Sequence, residues 1–167
     1  MPVLIGALVL TSVTAGTFAF LWLQGGGGPE AVNEFIAETS PAAEETARRV
    51  VDILMNYDST TLEDRRQEML ELSTGKFRDE YDEFTEQLGA ALEETKASSR
   101  GQLIGDPNIA FRSPSQAIAI MRATQTTQSS ENPGGQTLEY VLEVTLLETS
   151  EEGWKADSVE ILSETRS

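Results

Sequence analysis

Acidic residues are the chemically capable side chains that this sequence supplies in quantity. The chain has 28 Asp and Glu, 12 Lys and Arg, no Cys and no His. This composition excludes disulfides, thiolate nucleophiles, zinc ligation by nitrogen or sulfur, and Ser/His/Asp triads within one copy of the chain. Two carboxylates could still act as acid and base if burial separated their pKa values. The acids fall on polar helix faces and in turns, so we predict no catalytic residue, no metal ligand and no cofactor.

Aromatic residues on the apolar stripes form the second group with chemical potential. They are Tyr57, Phe77, Tyr81, Tyr140 and Trp154. Their side chains are predicted to point towards one another, so they line either a closed core or a ligand cavity, and the spacing fits both interpretations. The glycines at 25–28 lack the strand, helix and Lys of a phosphate-binding loop, which makes them a linker.

The charge of the chain restricts its partners. Its net charge is -16 at pH 7. Nucleic acids and anionic lipid headgroups bind to clustered Lys and Arg, so the domain is predicted not to bind either of them. The acidic surface is predicted to be a solvated face.

An uncharged apolar segment, Val3 to Leu23, predicts one transmembrane helix within an anchor at residues 1–24. A cleaved signal peptide would need a basic start and a shorter apolar run, so an uncleaved anchor fits better. Small residues recur every four positions and predict a face for contact with another membrane helix: Ala7, Thr11, Ala15 and Ala19. We expect a single-pass protein of the cell membrane whose acidic domain is extracytoplasmic.

Helices are predicted for the first half of the remaining chain, after a flexible Gly-rich linker at 25–40. Ser40 and Pro41 predict the cap and first turn of a helix that runs to Tyr57. A capping-box pattern from Thr60 to Glu63 predicts a second helix that ends near Leu72. Apolar residues spaced by three and four predict a third helix from Lys76 to Ala97.

Strands are predicted for the second half, where the apolar period approaches two. The segments are Gln102–Arg112 with a bend, Gln116–Gln128, Thr137–Thr149 and Trp154–Leu162. Turn residues separate the last three segments, which predicts antiparallel hairpins. The chain is therefore predicted to be an α+β domain at 41–163, with helices packed on a curved four-stranded antiparallel sheet and a frayed tail at 164–167.

Three local patterns carry a family resemblance. Residues 50–58 read VVDILMNYD, residues 72–81 read LSTGKFRDEY, and Gly153 and Trp154 open the last strand. Together with the anchor, they resemble the Mce-associated membrane proteins of actinobacteria, which accompany the Mce lipid-uptake transporters. The resemblance implies an NTF2-like or cystatin-like cone and a non-catalytic accessory subunit that supports a lipid or sterol transport complex. Its implied partners are the lipid bilayer and other membrane proteins, such as transporter subunits.

Two alternatives stay open at this level. The domain could be a lipid or sterol binding module that holds an apolar ligand in the aromatic-lined cavity. The build also resembles VirB8-type secretion components, which combine an anchor with an NTF2-like domain. An enzyme of this fold would need an inward acid, and the strand positions predicted to face inward carry none: Leu138, Tyr140, Leu142 and Val144.

Overall fold

The computed structural model describes residues 29–166, and the side chains from residue 40 onward. Three helices come first: α1 (Pro29–Met55), α2 (Leu62–Leu72) and α3 (Gly75–Thr95). The strands are β1 (Tyr57–Asp58), β2 (Ser98–Leu103), β3 (Asn108–Ser113), β4 (Gln116–Gln128), β5 (Gln136–Thr149) and β6 (Gly153–Arg166). The predicted combination of helices and antiparallel strands is confirmed.

The predicted anchor, with its face of Ala7, Thr11, Ala15 and Ala19, lies outside the described residues. Within residues 29–166, the structure contains no helix with the length and apolar character needed to cross a bilayer.

The main differences between the predicted and observed helix boundaries are the start of α1 and the ends of α1 and α3. Helix α1 begins at Pro29, so the part of the predicted linker from 29 to 40 is helical and the predicted start at Pro41 is wrong. Val32, Phe35 and Ile36 already have helical spacing, and one internal proline removes only one backbone donor. The predicted helical residue Tyr57 lies in β1, and α3 ends at Thr95 because Lys96 adopts a left-handed conformation with a φ of 53°.

The sheet has six strands where four were predicted. Its order is β1-β2-β4-β5-β6, and β3 also pairs with β4. The predicted strand Gln102–Arg112 is in fact β2 and β3, which pair with different halves of the long strand β4. Gly105, with a φ of +75°, and Pro107 interrupt the segment, so each half pairs separately.

The predicted strands Gln116–Gln128 and Thr137–Thr149 are confirmed, apart from one residue at the start of β5. Strand β6 continues to Arg166, so most of the predicted tail at 164–167 is strand. The long strand β5 explains this difference, because it supplies pairing partners as far as Leu138, opposite Arg166.

The core lies between the helices and one face of the sheet. Helix α1 crosses that face and contacts β2 through β6, while α3 contacts β6 and α2. The buried β4 residues are small or flexible: Ala117, Ala119, Met121 and Ala123. The buried β5 residues are Tyr140, Leu142, Val144 and Leu146. Ala43 and Ala47 on α1 are fully buried, which brings the helix close to the sheet. Each large apolar side chain buried here contributes about 1.5–3 kcal/mol.

Candidate functional site

The five aromatic residues of the predicted site divide between two apolar clusters. Phe77, Tyr81, Tyr140 and Trp154 are buried in the main core, and Tyr57 is half-buried beside Leu62, Leu88 and Leu92. The rings of Phe77 and Tyr81 lie 6.2 Å apart, and Trp154 stacks edge-on against Phe111 at 5.8 Å. These distances are typical of packed aromatic pairs.

Two of the surface cavities formed by the described residues lie elsewhere. The larger, about 700 Å³, lies along α1 between Pro41 and Asp52. The smaller, about 470 Å³, lies at the start of α3 between Leu70 and Asp82. None of the five aromatic residues lines either cavity. The packing of these aromatic side chains therefore favours their role in the core.

The tyrosine hydroxyls are weak acids in this environment. Burial raises the pKa of Tyr140 to about 12, with smaller contributions from Glu164 and Tyr57. Burial also raises the pKa of Tyr81, and that of Tyr57, although a hydrogen bond with Ser99 opposes the shift at Tyr57. All three side chains stay neutral at pH 7. None of them is prepared to accept a proton from a substrate.

The buried polar residues of the described chain are hydroxyl residues, and each one bonds to a backbone carbonyl. Ser73 donates to Met69 over 2.7 Å, Thr85 donates to the carbonyl of Tyr81 over 3.0 Å, and Ser99 donates to the carbonyl of Met55 over 2.8 Å. Between residues 40 and 166 no group of three or more acids is arranged to hold a metal ion. These hydroxyls satisfy backbone carbonyl groups that would otherwise be buried without a partner.

Besides the hydrogen bond from Ser99 to Met55, an amide side chain holds the junction between α1 and β2. Asn56 follows the last residue of α1, and its Nδ2 donates to the carbonyl of Gly101 over 3.1 Å. The Gly101 N–H donates in turn to Asn56 Oδ1 over 2.9 Å. A Cβ at Gly101 would lie 2.6 Å from Cβ of Met55, so only glycine permits this approach. The Asn56 amide therefore pairs with β2 as a neighbouring strand would.

Asp58 organises the turn that follows this junction. Its Oδ1 accepts hydrogen bonds from the hydroxyl of Thr60 at 2.6 Å and from the backbone N–H groups of Thr60 and Thr61 at 2.9 and 3.0 Å. Its Oδ2 accepts a hydrogen bond from Arg100 at 2.6 Å. The Thr60 hydroxyl and Arg100 hold the pKa of Asp58 well below its usual range. The predicted capping box from Thr60 to Glu63 does not form, since Thr61 is the N-cap and makes no side-chain cap bond.

Several other acids pair with arginines between the helices. Arg65 on α2 contacts Asp52 of α1 at 3.3 Å and Glu68 at 3.4 Å, while Arg49 of α1 also pairs with Glu68. Such partly exposed pairs contribute about 0.2–1 kcal/mol each. These acids therefore orient the helices against one another.

Sequence reasoning found the aromatic residues but missed Asn56, Asp58 and Gly101 as a connected group. The sequence Asn-Tyr-Asp directly after an apolar helix was the available signal. It did not reveal the partner, because Gly101 lies 45 residues further along the chain.

Comparisons with known proteins identify the fold. Neither a family model nor a curated protein matches the sequence. Among solved structures, CagV from Helicobacter pylori, a VirB8 homologue of a type IV secretion system, matches with a TM-score of 0.57 and 9% identity. The match covers 72% of this chain and 96% of that one.

Two further solved structures of similar fold are named as other kinds of protein. A nuclear transport factor 2 (NTF2-like) superfamily protein from Salmonella enterica has a TM-score of 0.53 and 12% identity, over 73% of this chain and 91% of that one. A putative scytalone dehydratase from Novosphingobium aromaticivorans has a TM-score of 0.59 and 14% identity, over 81% and 91%. At these identities the likeness shows the fold alone, and the resemblance to Mce-associated proteins stays a prediction. The helices and antiparallel sheet of this chain therefore form an NTF2-like cone.

Proposed function

We propose that this chain is a non-catalytic, membrane-anchored scaffold subunit of a cell-envelope assembly, with a role comparable to that of VirB8-type secretion components. The observation that carries the proposal is the filling of the cone. Where an NTF2-like enzyme would need a buried acid or base, the described interior holds packed apolar side chains and neutral hydroxyls. A domain with this interior offers partners its outer surface.

The similarity to CagV supports the secretion-type reading, since both chains have this cone. The predicted anchor complements it, because a helix at Val3–Leu23 would hold the domain at the membrane. Under this proposal the protein is single-pass and its domain is extracytoplasmic.

An accessory role beside an Mce-type lipid transporter is the second candidate. It is favoured by the patterns at 50–58 and 72–81. In the structure these patterns serve the fold: Asn56 binds Gly101, and Phe77 and Tyr81 fill the core. Their structural use is compatible with both kinds of assembly, so the two candidates differ in the partner that they specify.

Purification of the tagged full chain from its native membranes in mild detergent tests the proposal. We expect other membrane proteins at fixed stoichiometry. Secretion components would support the first candidate, and transporter subunits the second. Recovery of the chain without a stoichiometric partner would contradict both.

A matched pair of variants tests the anchor face. Leucine at the four small positions Ala7, Thr11, Ala15 and Ala19 should reduce partner recovery, because it prevents close helix approach. Leucine at Gly6 and Thr17, on the opposite face of the predicted helix, should leave recovery unchanged. Equal recovery with both variants would refute the anchor-face contact.

A further inference from the structure

Strand β6 forms one edge of the sheet. Its inner side pairs with β5 along the whole strand, from Gly153 to Arg166. On its outer side, Thr74 donates a backbone hydrogen bond to the carbonyl of Ala156 over 2.8 Å. From Asp157 to Arg166 no further backbone bond reaches this outer side from the described part of the chain. A long free edge of this kind can pair with another strand.

The same edge carries the exposed apolar side chains of the described domain. Ile161 is 36% exposed and Leu162 is 51% exposed, and they are the large hydrophobic residues exposed between positions 40 and 166. A register shift at this point leaves Leu162 without a partner on β5. Contact with an added strand would remove both side chains from water.

Unpaired acids accompany these apolar residues. Glu160 lies directly opposite Glu143 of β5, on the sheet face away from the helices, whereas Glu164 lies opposite the buried Tyr140 on the other face. The side chains of Glu143, Glu160 and Glu164 form no ion pair within the described residues. Like charges directly opposite each other destabilise a sheet. A cation on a strand beside Glu160 would relieve this repulsion.

The charge pattern also excludes a second copy of the chain as the favoured occupant. Two β6 edges side by side would bring Glu160 and Glu164 of both copies together, and each copy carries a net charge of -16. Acids on an edge oppose pairing with an identical strand, but they attract a basic one.

We infer that β6 is a docking edge that adds an extended, basic segment of a partner protein as the next strand of the sheet. Lys or Arg of that segment would lie beside Glu160, on the face away from the helices, and an apolar residue on the other face would cover Ile161. Backbone bonds would supply affinity, while the alternating side chains would supply specificity. The inference rests on the proposed scaffold function, because it specifies how the domain holds a partner.

A synthetic peptide of alternating valine and lysine, labelled with a fluorophore, is the probe. Its binding to the full chain in mild detergent is measured by fluorescence anisotropy. The variant E143Q/E160Q, which removes the two acids on the face away from the helices, should weaken binding about tenfold, because the charge contacts with the lysines are lost. The matched variant E93Q/E94Q removes the same charge from the exposed end of α3, and it should change affinity less than about twofold.

Hydrogen exchange locates the bound peptide. We expect new protection of backbone amides in the peptide-bound chain between Ser158 and Arg166. Equal weakening by the two double variants, or protection confined to other elements, would overturn the inference. Efficient disulfide dimerisation of a Leu162→Cys chain without peptide would overturn it in favour of a second copy.

Failure here is distinguishable from failure of the proposed function. If the peptide does not bind but the membrane assembly is recovered in mild detergent, the docking edge is refuted and the scaffold function stands. If neither is observed, both are refuted.

Discussion

Replacing Asn56 by alanine tests the junction between α1 and β2. The change removes two hydrogen bonds to the backbone of Gly101, at 2.9 and 3.1 Å. Each such bond contributes about 1 kcal/mol net, so the variant should lose about 2 kcal/mol in the free energy of unfolding. With a slope of about 2 kcal/mol per molar urea, the unfolding midpoint should fall by roughly 1 M.

The assay is urea denaturation of the full chain in mild detergent, followed by the fluorescence of Trp154. The chain has two tryptophans, so Trp22 is replaced by phenylalanine in every sample. Asn108→Ala is the matched control, since Asn108 is exposed on β3, and it should change the free energy by less than about 0.5 kcal/mol. Equal midpoints for Asn56→Ala and Asn108→Ala would refute the role of Asn56 at the junction.

Four further substitutions test local geometry. Gly75→Ala should lower the free energy of unfolding by roughly 1–2 kcal/mol, because Gly75 has a φ of +58° and an added Cβ would lie 2.9 Å from Asp157 Oδ1. Gly89→Ala inside α3 should raise the free energy of unfolding by about 0.5–1 kcal/mol. Urea denaturation midpoints measure both changes. Because the pKa of Asp58 is lowered in the folded chain, the ionised Asp58 side chain stabilises the fold fully above the ordinary Asp pKa of about 3.9. The difference in the free energy of unfolding between the wild type and Asp58→Asn should therefore shrink as the pH falls below that value. Because the pKa of Tyr140 is raised to about 12, the neutral Tyr140 side chain stabilises the fold fully below about pH 10. Between pH 10 and 12 the urea midpoint of the wild type should therefore fall more steeply than that of Tyr140→Phe.

The longest strands could be predicted from the sequence because local signals determine them. Strand β4 was predicted at its observed bounds, and β5 within one residue. Alternation between apolar and polar residues marks their two faces, while Asn132 to Gly135 and Gly153 mark the turns. Gly135 and Gly153 both adopt a positive φ, which agrees with their use as turn residues.

Pairing over long distances explains what could not be predicted. The division of Gln102–Arg112 into β2 and β3 depends on the length of β4, whose two halves accept different partners. The extension of β6 to Arg166 depends on Leu138 of β5. No local pattern encodes either partner. The same reason hid the Asn56 site, whose function requires Gly101 on another element.

The fold alone does not decide between an enzyme and a scaffold protein. An NTF2-like cone occurs in a secretion-system protein and in a putative dehydratase at similar structural likeness. In this chain Tyr81, Tyr140 and Trp154 are packed as core in the interior. Our proposal therefore follows from the filled interior.

The most direct test of the scaffold proposal is native mass spectrometry of the full chain, extracted from its own membranes in mild detergent. We expect a particle that contains this chain at fixed stoichiometry with other membrane proteins and no small molecule within its domain. A chain that is released alone, with a lipid or sterol retained in the cone, would contradict the scaffold function and favour a ligand-binding module.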